Sequence, residues 1–74
     1  MNIYGKNVVK EAILEGNKIE KIYLTQQFKE YEILSLIEKK GYHVQRISKD
    51  QMDRMESGNH QGILAVVQNI LMHL

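Results

Sequence analysis

Residues 57–67 read Ser-Gly-Asn-His-Gln-Gly-Ile-Leu-Ala-Val-Val, a short polar loop joined directly to an apolar run. Gly58 and Gly62 bracket three side chains that can donate or accept hydrogen bonds. The apolar run is typical of a buried strand. A glycine at each end of a loop indicates backbone at positive φ or a close approach by a ligand. The stretch therefore predicts either a recognition loop held on a rigid strand or only a tight turn before a core strand.

Strand-like and helix-like segments alternate along the rest of the chain. Strands are predicted at 3–5, 22–25, 42–47 and 63–67, the first at the edge of a sheet and the second inside it. Helices are predicted after a cap at Asn7, from about Phe28 to Lys40, and after a cap at Ser48. This alternation predicts a three-layer α/β/α sandwich with a small four-stranded, mostly parallel or mixed sheet and helices on both faces.

The predicted second helix has an unusually wide apolar surface. Ile33, Leu34 and Ile37 share one face, whereas Phe28 and Leu36 point elsewhere on the helical wheel. Either this helix packs on the sheet and also contacts another subunit or domain, or the two outlying side chains are scattered surface apolars. The sequence leaves these two interpretations open.

The composition excludes several classes of site. The 74 residues contain no cysteine, and the three histidines have no spacing known for metal ligands, so we expect no metal site. Because the formal net charge is only +1, binding to nucleic acid would depend on a local arrangement of charges. No apolar stretch reaches the roughly 18 residues of a membrane span, and the first residues do not resemble a signal peptide. We therefore expect a cytoplasmic protein with no membrane partner.

Two segments near opposite ends of the chain together resemble a known family. Residues 3–13 read Ile-Tyr-Gly-Lys-Asn-Val-Val-Lys-Glu-Ala-Ile and resemble the opening of the SpoU (TrmH-like) RNA 2'-O-ribose methyltransferases. Residues 58–65 read Gly-Asn-His-Gln-Gly-Ile-Leu-Ala and resemble the loop and strand that end the N-terminal substrate-binding domain of those enzymes. Residues 21–24 and 48–50 also lie where that domain would have them. The resemblance implies an L30e-like fold, which occurs in several RNA-binding proteins.

The same resemblance implies a division of labour within a longer protein. Residues 1–68 would form an RNA substrate-binding domain, and residues 69–74 would begin a linker to a C-terminal methyltransferase domain. That second domain would bind S-adenosylmethionine and hold the catalytic residues, whose motifs do not occur in these 74 residues. This chain alone is therefore expected to bind no cofactor and to be non-catalytic. Its expected partners are structured RNA, with 23S rRNA favoured, and its own catalytic domain, and the full-length protein is expected to be a homodimer.

Contacts to RNA are expected from side chains that can read bases by hydrogen bonding and from cations that position the RNA backbone. The candidates are Asn59, His60, Gln61, Lys6, Asn7, Arg46 and Lys49. The first three belong to the polar loop, and the next two to the start of the first helix, where free N–H groups favour an anion. The last two are candidate phosphate contacts.

Two further hypotheses come from other classes of protein. A free-standing L30e-like RNA-binding or ribosome-associated protein would use the same sheet and basic residues, and the reading frame after Leu74 would distinguish it from a methyltransferase. A domain that chiefly contacts proteins would use the wide apolar surface of the second helix.

Overall fold

The order of helices and strands matches the order predicted from the sequence. The computed structural model describes residues 2–68. Its elements are β1 (Asn2–Tyr4), α1 (Lys6–Leu14), β2 (Ile19–Thr25), α2 (Tyr31–Lys40), β3 (Val44–Ile47), α3 (Lys49–Met55) and β4 (Ile63–Val67). No helix within residues 2–68 is long and apolar enough to cross a membrane. Residues 69–74, for which the sequence predicts the start of a linker, lie outside the described residues.

The four strands form one mixed sheet in the order β1-β4-β2-β3. Strands β2 and β3 are parallel, whereas β4 is antiparallel to both of its neighbours, β1 and β2. Of the two predicted alternatives, a mostly parallel or a mixed sheet, the structure shows the mixed sheet. Because β4 lies beside β1, with Tyr4 opposite Leu64, the two segments that carry the family resemblance are neighbours in space.

Apolar side chains cover both faces of the sheet. On one face, α1 and α2 pack against the sheet through buried Val9, Ile13, Ile33 and Ile37. On the other face, Met52 of α3 is completely buried and packs with residues of β3 and β4. The predicted three-layer sandwich is therefore confirmed.

Helix α2 begins three residues later than predicted. Phe28 lies in the segment between β2 and α2, where its N–H donates to the carbonyl of Thr25 at 3.2 Å. Its ring is only 6% exposed because it packs into the core. The prediction that Phe28 widens the apolar surface of the helix is therefore wrong. Leu36 is partly buried against the same core, and Tyr31, at 78% exposure, is the apolar side chain that α2 presents to solvent.

Helix α1 begins slightly earlier than predicted. Gly5, with φ of 94°, is the N-cap, so Asn7 lies inside the first turn and the prediction of an Asn7 cap is wrong. A glycine is suited to this place because an L side chain disfavours that φ value.

Strand β3 begins at Val44 rather than at Tyr42. Gly41 adopts a left-handed conformation and ends α2, and the N–H of Tyr42 donates to the carbonyl of Ile37 at 3.3 Å. This C-terminal cap keeps Tyr42 out of the sheet. Tyr42 and Val44 both pack against the core that includes Ile37.

Candidate functional site

A cleft of about 470 Å³ opens at the end of the sheet where β2 ends and β4 begins. We call residues 57–62 the recognition loop, because this segment forms one wall of the cleft. The start of α1, the β2–α2 segment and one side of α3 form the other walls. The lining residues are Lys6, Thr25, Gln27, Phe28, Lys29, Glu30, Lys49, Asp53, Gly58, Asn59, His60, Gln61 and Gly62.

The recognition loop and the first residue of β4 are joined to the start of α1 by one hydrogen bond each. The N–H of Gly5 donates to the carbonyl of Ile63 at 3.3 Å, and the N–H of Lys6 donates to Oε1 of Gln61 at 2.7 Å. The Gln61 amide thus satisfies one of the N–H groups that a helix start leaves without an intrahelical acceptor. The two segments that carry the family resemblance therefore form one structural unit.

The two glycines of the loop serve different purposes. Gly62 adopts a φ of 86°, a value that L side chains disfavour. Gly58 instead permits close packing, because a Cβ atom there would lie 2.8 Å from the hydroxyl oxygen of Tyr4 and 3.0 Å from its Cζ atom. The loop consequently lies directly on the Tyr4 ring of β1.

His60 connects the recognition loop to α3 from a buried position. Its side chain is 8% exposed, and its Nε2 atom lies 2.6 Å from Oδ1 of Asp53. The N–H of Gly62 donates to Nδ1 of His60 at 2.9 Å. Because Nδ1 accepts a hydrogen bond, the ring proton belongs on Nε2, which donates to the carboxylate. A direct RNA contact through a His60 ring nitrogen would have to break one of these bonds.

The pKa of the Asp53 carboxyl lies below its ordinary value of 3.8. The hydrogen bond from His60 is the largest cause, since it stabilises the charged carboxylate, and the positive charge of Lys49 acts in the same direction. Partial desolvation opposes the shift. Asp53 is therefore a charged carboxylate near neutral pH, and it accepts the hydrogen bond from Nε2 of His60.

This lowered pKa predicts a stability term that depends on pH. A carboxyl with a lowered pKa in the folded state stabilises the fold above its unfolded pKa and loses that contribution as pH falls through the folded pKa. We expect the difference in unfolding free energy between the wild type and D53N to be constant above about pH 5 and to shrink below pH 3.8. Urea denaturation at several pH values would measure it. In an H60A background the pH-dependent part should be much smaller, and an unchanged profile there would show that His60 is not its main cause.

Three lysines line the cleft and differ in their partners. Nζ of Lys6 lies 3.1 Å from Oε2 of Glu30, and Nζ of Lys49 lies 3.6 Å from Oδ2 of Asp53. Lys29 is exposed and has no ion pair within residues 2–68. Lys29 is therefore the lining cation whose charge is not offset by a bonded carboxylate.

Two of the candidate contacts lie outside the cleft. Nη1 of Arg46 donates to the carbonyls of Thr25 and Phe28 at 2.9 and 3.2 Å, which holds the β2–α2 segment in place. Asn7 is exposed in the first turn of α1. The structure thus brings Lys6, Lys49 and the three loop residues together in the cleft. Arg46 instead bonds to the backbone of the β2–α2 segment, and Asn7 is not among the lining residues.

The sequence did not identify the part of the cleft that follows β2. Gln27, Lys29 and Glu30 line that part, and Asp53 of α3 is a further lining residue of the cleft that the sequence did not identify. One available signal was the position of residues 26–30 after the carboxyl end of an interior strand, where open α/β sheets place their ligand sites. Among residues 2–68 there is no group of three or more histidine or acidic side chains that could hold a metal ion.

Comparison with known proteins identifies a family for almost the whole chain. Residues 2–70 match the family described as RNA 2'-O ribose methyltransferase substrate binding. The chain is 29% identical to YacO of Bacillus subtilis (strain 168), named as a TrmH family tRNA/rRNA methyltransferase, over 88% of this chain and 27% of that protein. A TrmH family tRNA/rRNA methyltransferase of Staphylococcus saprophyticus is 35% identical with the same coverage. The chain thus spans about a quarter of the length of these curated relatives.

A solved structure shares the fold. The crystal structure of the archaeal translation termination factor aRF1 superposes with a TM-score of 0.68 and 14% identity, over 93% of this chain and 20% of that one. At this identity the likeness concerns the fold alone, and it agrees with the predicted L30e-like architecture. The family suggested by the two terminal segments is confirmed by the match over residues 2–70. The chain belongs to the SpoU family of RNA 2'-O ribose methyltransferase substrate-binding domains.

Proposed function

We propose that this chain recognises structured RNA for an S-adenosylmethionine-dependent RNA 2'-O-ribose methyltransferase, with 23S rRNA as the substrate. The observation that carries the proposal is the cleft in which the recognition loop, the start of α1 and the β2–α2 segment meet. Family membership supports the reaction class. The relatives are named for both tRNA and rRNA, so the choice of 23S rRNA is the part that most needs a direct test.

The chemistry of the cleft suits a negatively charged polymer with exposed base edges. Lys29 offers an uncompensated cation, and Lys6 and Lys49 can exchange their carboxylate partners for phosphate oxygens. Asn59 is exposed in the cleft and carries both a donor and an acceptor. Oε1 of Gln61 accepts a hydrogen bond from the N–H of Lys6, which leaves the NH₂ group of Gln61 to donate to an RNA acceptor. Lysines would thus position the RNA, and the two amides would read it.

The residues of this cleft do not fit S-adenosylmethionine itself. Of the two carboxylates that line the cleft, Asp53 already accepts from Nε2 of His60 at 2.6 Å, and Glu30 lies 3.1 Å from Nζ of Lys6, so ribose hydroxyls would have to compete with these partners. Its one aromatic side chain, Phe28, is buried in the core and offers little surface to an adenine ring. We place the cofactor in the second domain of the longer protein. The contribution of this chain is to position the RNA, which can account for a large part of a rate enhancement.

The N59A variant tests the proposal directly. We expect the wild-type chain to bind a 23S rRNA transcript more tightly than a tRNA transcript, and N59A to bind the 23S rRNA about fivefold more weakly, because one or two hydrogen bonds of about 0.5–1.5 kcal/mol are lost. Fluorescence anisotropy at fixed salt would measure both affinities.

N17A is the matched control, since Asn17 is exposed in the turn between α1 and β2 at the far end of the sheet. A wild-type chain that binds neither RNA would refute the proposed function. Equal affinities for the two RNAs would refute the choice of substrate, and equal effects of N59A and N17A would remove Asn59 from the interface.

The remaining parts of the proposal concern the longer protein. We place it in the cytoplasm as a homodimer in which this domain is linked to the catalytic domain. Contact with another protein is the second candidate function, favoured by the groove between α1 and α2 that Leu14, Tyr31 and Leu36 line. Leu14 and Tyr31 are 61% and 78% exposed, so this groove has apolar surface available for a partner.

A further inference from the structure

We propose that Asp53 is a positioning residue for RNA recognition, because through His60 it holds the recognition loop in the one conformation that presents Asn59 and Gln61 to RNA. The inference rests on the proposed function and assigns the control of that site to a carboxylate on a different element.

Two consecutive hydrogen bonds connect α3 to the backbone of the recognition loop. Asp53 accepts from Nε2 of His60 at 2.6 Å, and Nδ1 of His60 accepts from the N–H of Gly62 at 2.9 Å. Both ring nitrogens are therefore used, and they bond in different directions. With a side-chain exposure of only 8%, the ring has little water to replace either partner. Asp53 thus fixes the orientation of the His60 ring, and the ring in turn holds the N–H of Gly62 in place.

The backbone of the recognition loop has an unfavourable conformation that surrounding contacts must hold in place. Gln61 has a positive φ of 57°, which is uncommon for a residue other than glycine. The backbone around it forms a tight turn, with His60 N–H bonded to the carbonyl of Gly58 and Ile63 N–H bonded to the carbonyl of His60. A strained turn persists where surrounding contacts determine it. The His60 ring provides one such contact from inside the turn.

Loss of the Asp53 carboxylate would release the His60 ring. An alanine at position 53 would leave the buried Nε2–H of His60 without its acceptor, which disfavours the buried orientation of the ring. Rotation of the ring toward water would also break the bond from Gly62. The loop would then sample several conformations, and the affinity for RNA would fall in proportion to the fraction that remains competent.

The sign of the effect separates this proposal from simple electrostatics. Asp53 lines the cleft, so removal of its negative charge should by itself strengthen the binding of RNA phosphates. Loss of positioning acts in the opposite direction. Weaker binding after removal of this carboxylate would therefore have no electrostatic explanation.

The experiment compares D53A, D53N and D50A in the 74-residue chain. Asp50 is exposed in the same helix and does not line the cleft, so D50A removes the same charge without touching His60. In D53N the amide oxygen can still accept from His60, so this variant keeps the hydrogen bond and loses the charge. Amide NMR of residues 58–62 reports the order of the loop, ring nitrogen shifts of His60 report its tautomer, and anisotropy with a 23S rRNA transcript reports affinity.

We expect D53A to lower the affinity about fivefold, to shift the Gly62 amide and to speed its hydrogen exchange at a temperature where the chain is fully folded. D53N and D50A should bind at least as tightly as the wild type. Unchanged loop amides in D53A, or a D53N variant as impaired as D53A, would overturn the inference. If the wild type binds no RNA while the loop of D53A loosens, the positioning of the loop by Asp53 stands and the proposed function fails.

Discussion

The G62A variant is expected to lose about 2–5 kcal/mol of unfolding free energy. An L side chain at positive φ costs about 1–2 kcal/mol, and an overpacked site costs about 1–3 kcal/mol. Both costs apply here, since φ is 86° and the new Cβ atom would lie 2.9 Å from Oγ1 of Thr25 and 3.3 Å from Cδ1 of Phe28. The Gly62 carbonyl also accepts from the N–H of Thr25 at 3.0 Å, so the backbone cannot retreat without losing a sheet contact.

Urea denaturation followed by circular dichroism would measure the loss, with G16A as the matched control. Gly16 has a similar φ of 79°, but no heavy atom lies within 4 Å of the position that a Cβ atom would take there, so G16A should show only the conformational cost. The expected stability of a domain of this length is about 4–11 kcal/mol, so G62A would remove a large share of it. Equal losses in G62A and G16A would mean that Thr25 and Phe28 do not enclose Gly62 as the structure has them.

The parts of the fold that the sequence predicted are those with local causes. The Ser48 cap is one example, since its hydroxyl accepts from the N–H of Gln51 at 3.1 Å, three residues away. The end of α2 at Lys40 is another, since Gly41 directly after it adopts a left-handed conformation. Where a distant contact decides, local patterns fail. Phe28 has the spacing of a helical residue, yet its burial beneath Gly62 keeps it in the preceding turn.

The candidate site was predictable in its position and less so in the roles of its residues. The resemblance of two segments indicated the recognition loop and the start of α1, and the pairing of β1 with β4 explains why they meet. No local rule connects Asp53 with His60 or Arg46 with the carbonyl of Thr25, because these bonds exist only once α3 and β3 have packed on the sheet. The sequence predicts His60 as a contact residue because it lies between two amides in a polar loop, whereas the burial of its ring becomes visible only in the folded structure.

Reversal of the charge at Lys29 should have the largest effect on RNA binding. We expect K29E to weaken binding to a 23S rRNA transcript about 15-fold at 0.1 M salt. Two unit charges about 5 Å apart in water interact by about 0.8 kcal/mol, and the variant both loses one attraction and gains one repulsion. Because Lys29 is exposed and has no ion pair within residues 2–68, the substitution should leave the fold unchanged.

K18E separates a local contact from a general loss of positive charge. Lys18 is also exposed, but it precedes the first residue of β2, whereas the cleft lies beyond the last. A seven-residue strand separates the two lysines by about 20 Å, roughly twice the distance over which 0.1 M salt screens a charge. K18E should therefore change the affinity less than twofold, whereas K29E should also reduce the salt dependence of binding by about one phosphate contact. Only a localised phosphate contact would distinguish positions at opposite ends of one strand. Equal losses of affinity in the two variants would therefore indicate that RNA is attracted by the overall charge of the domain and does not bind in this cleft.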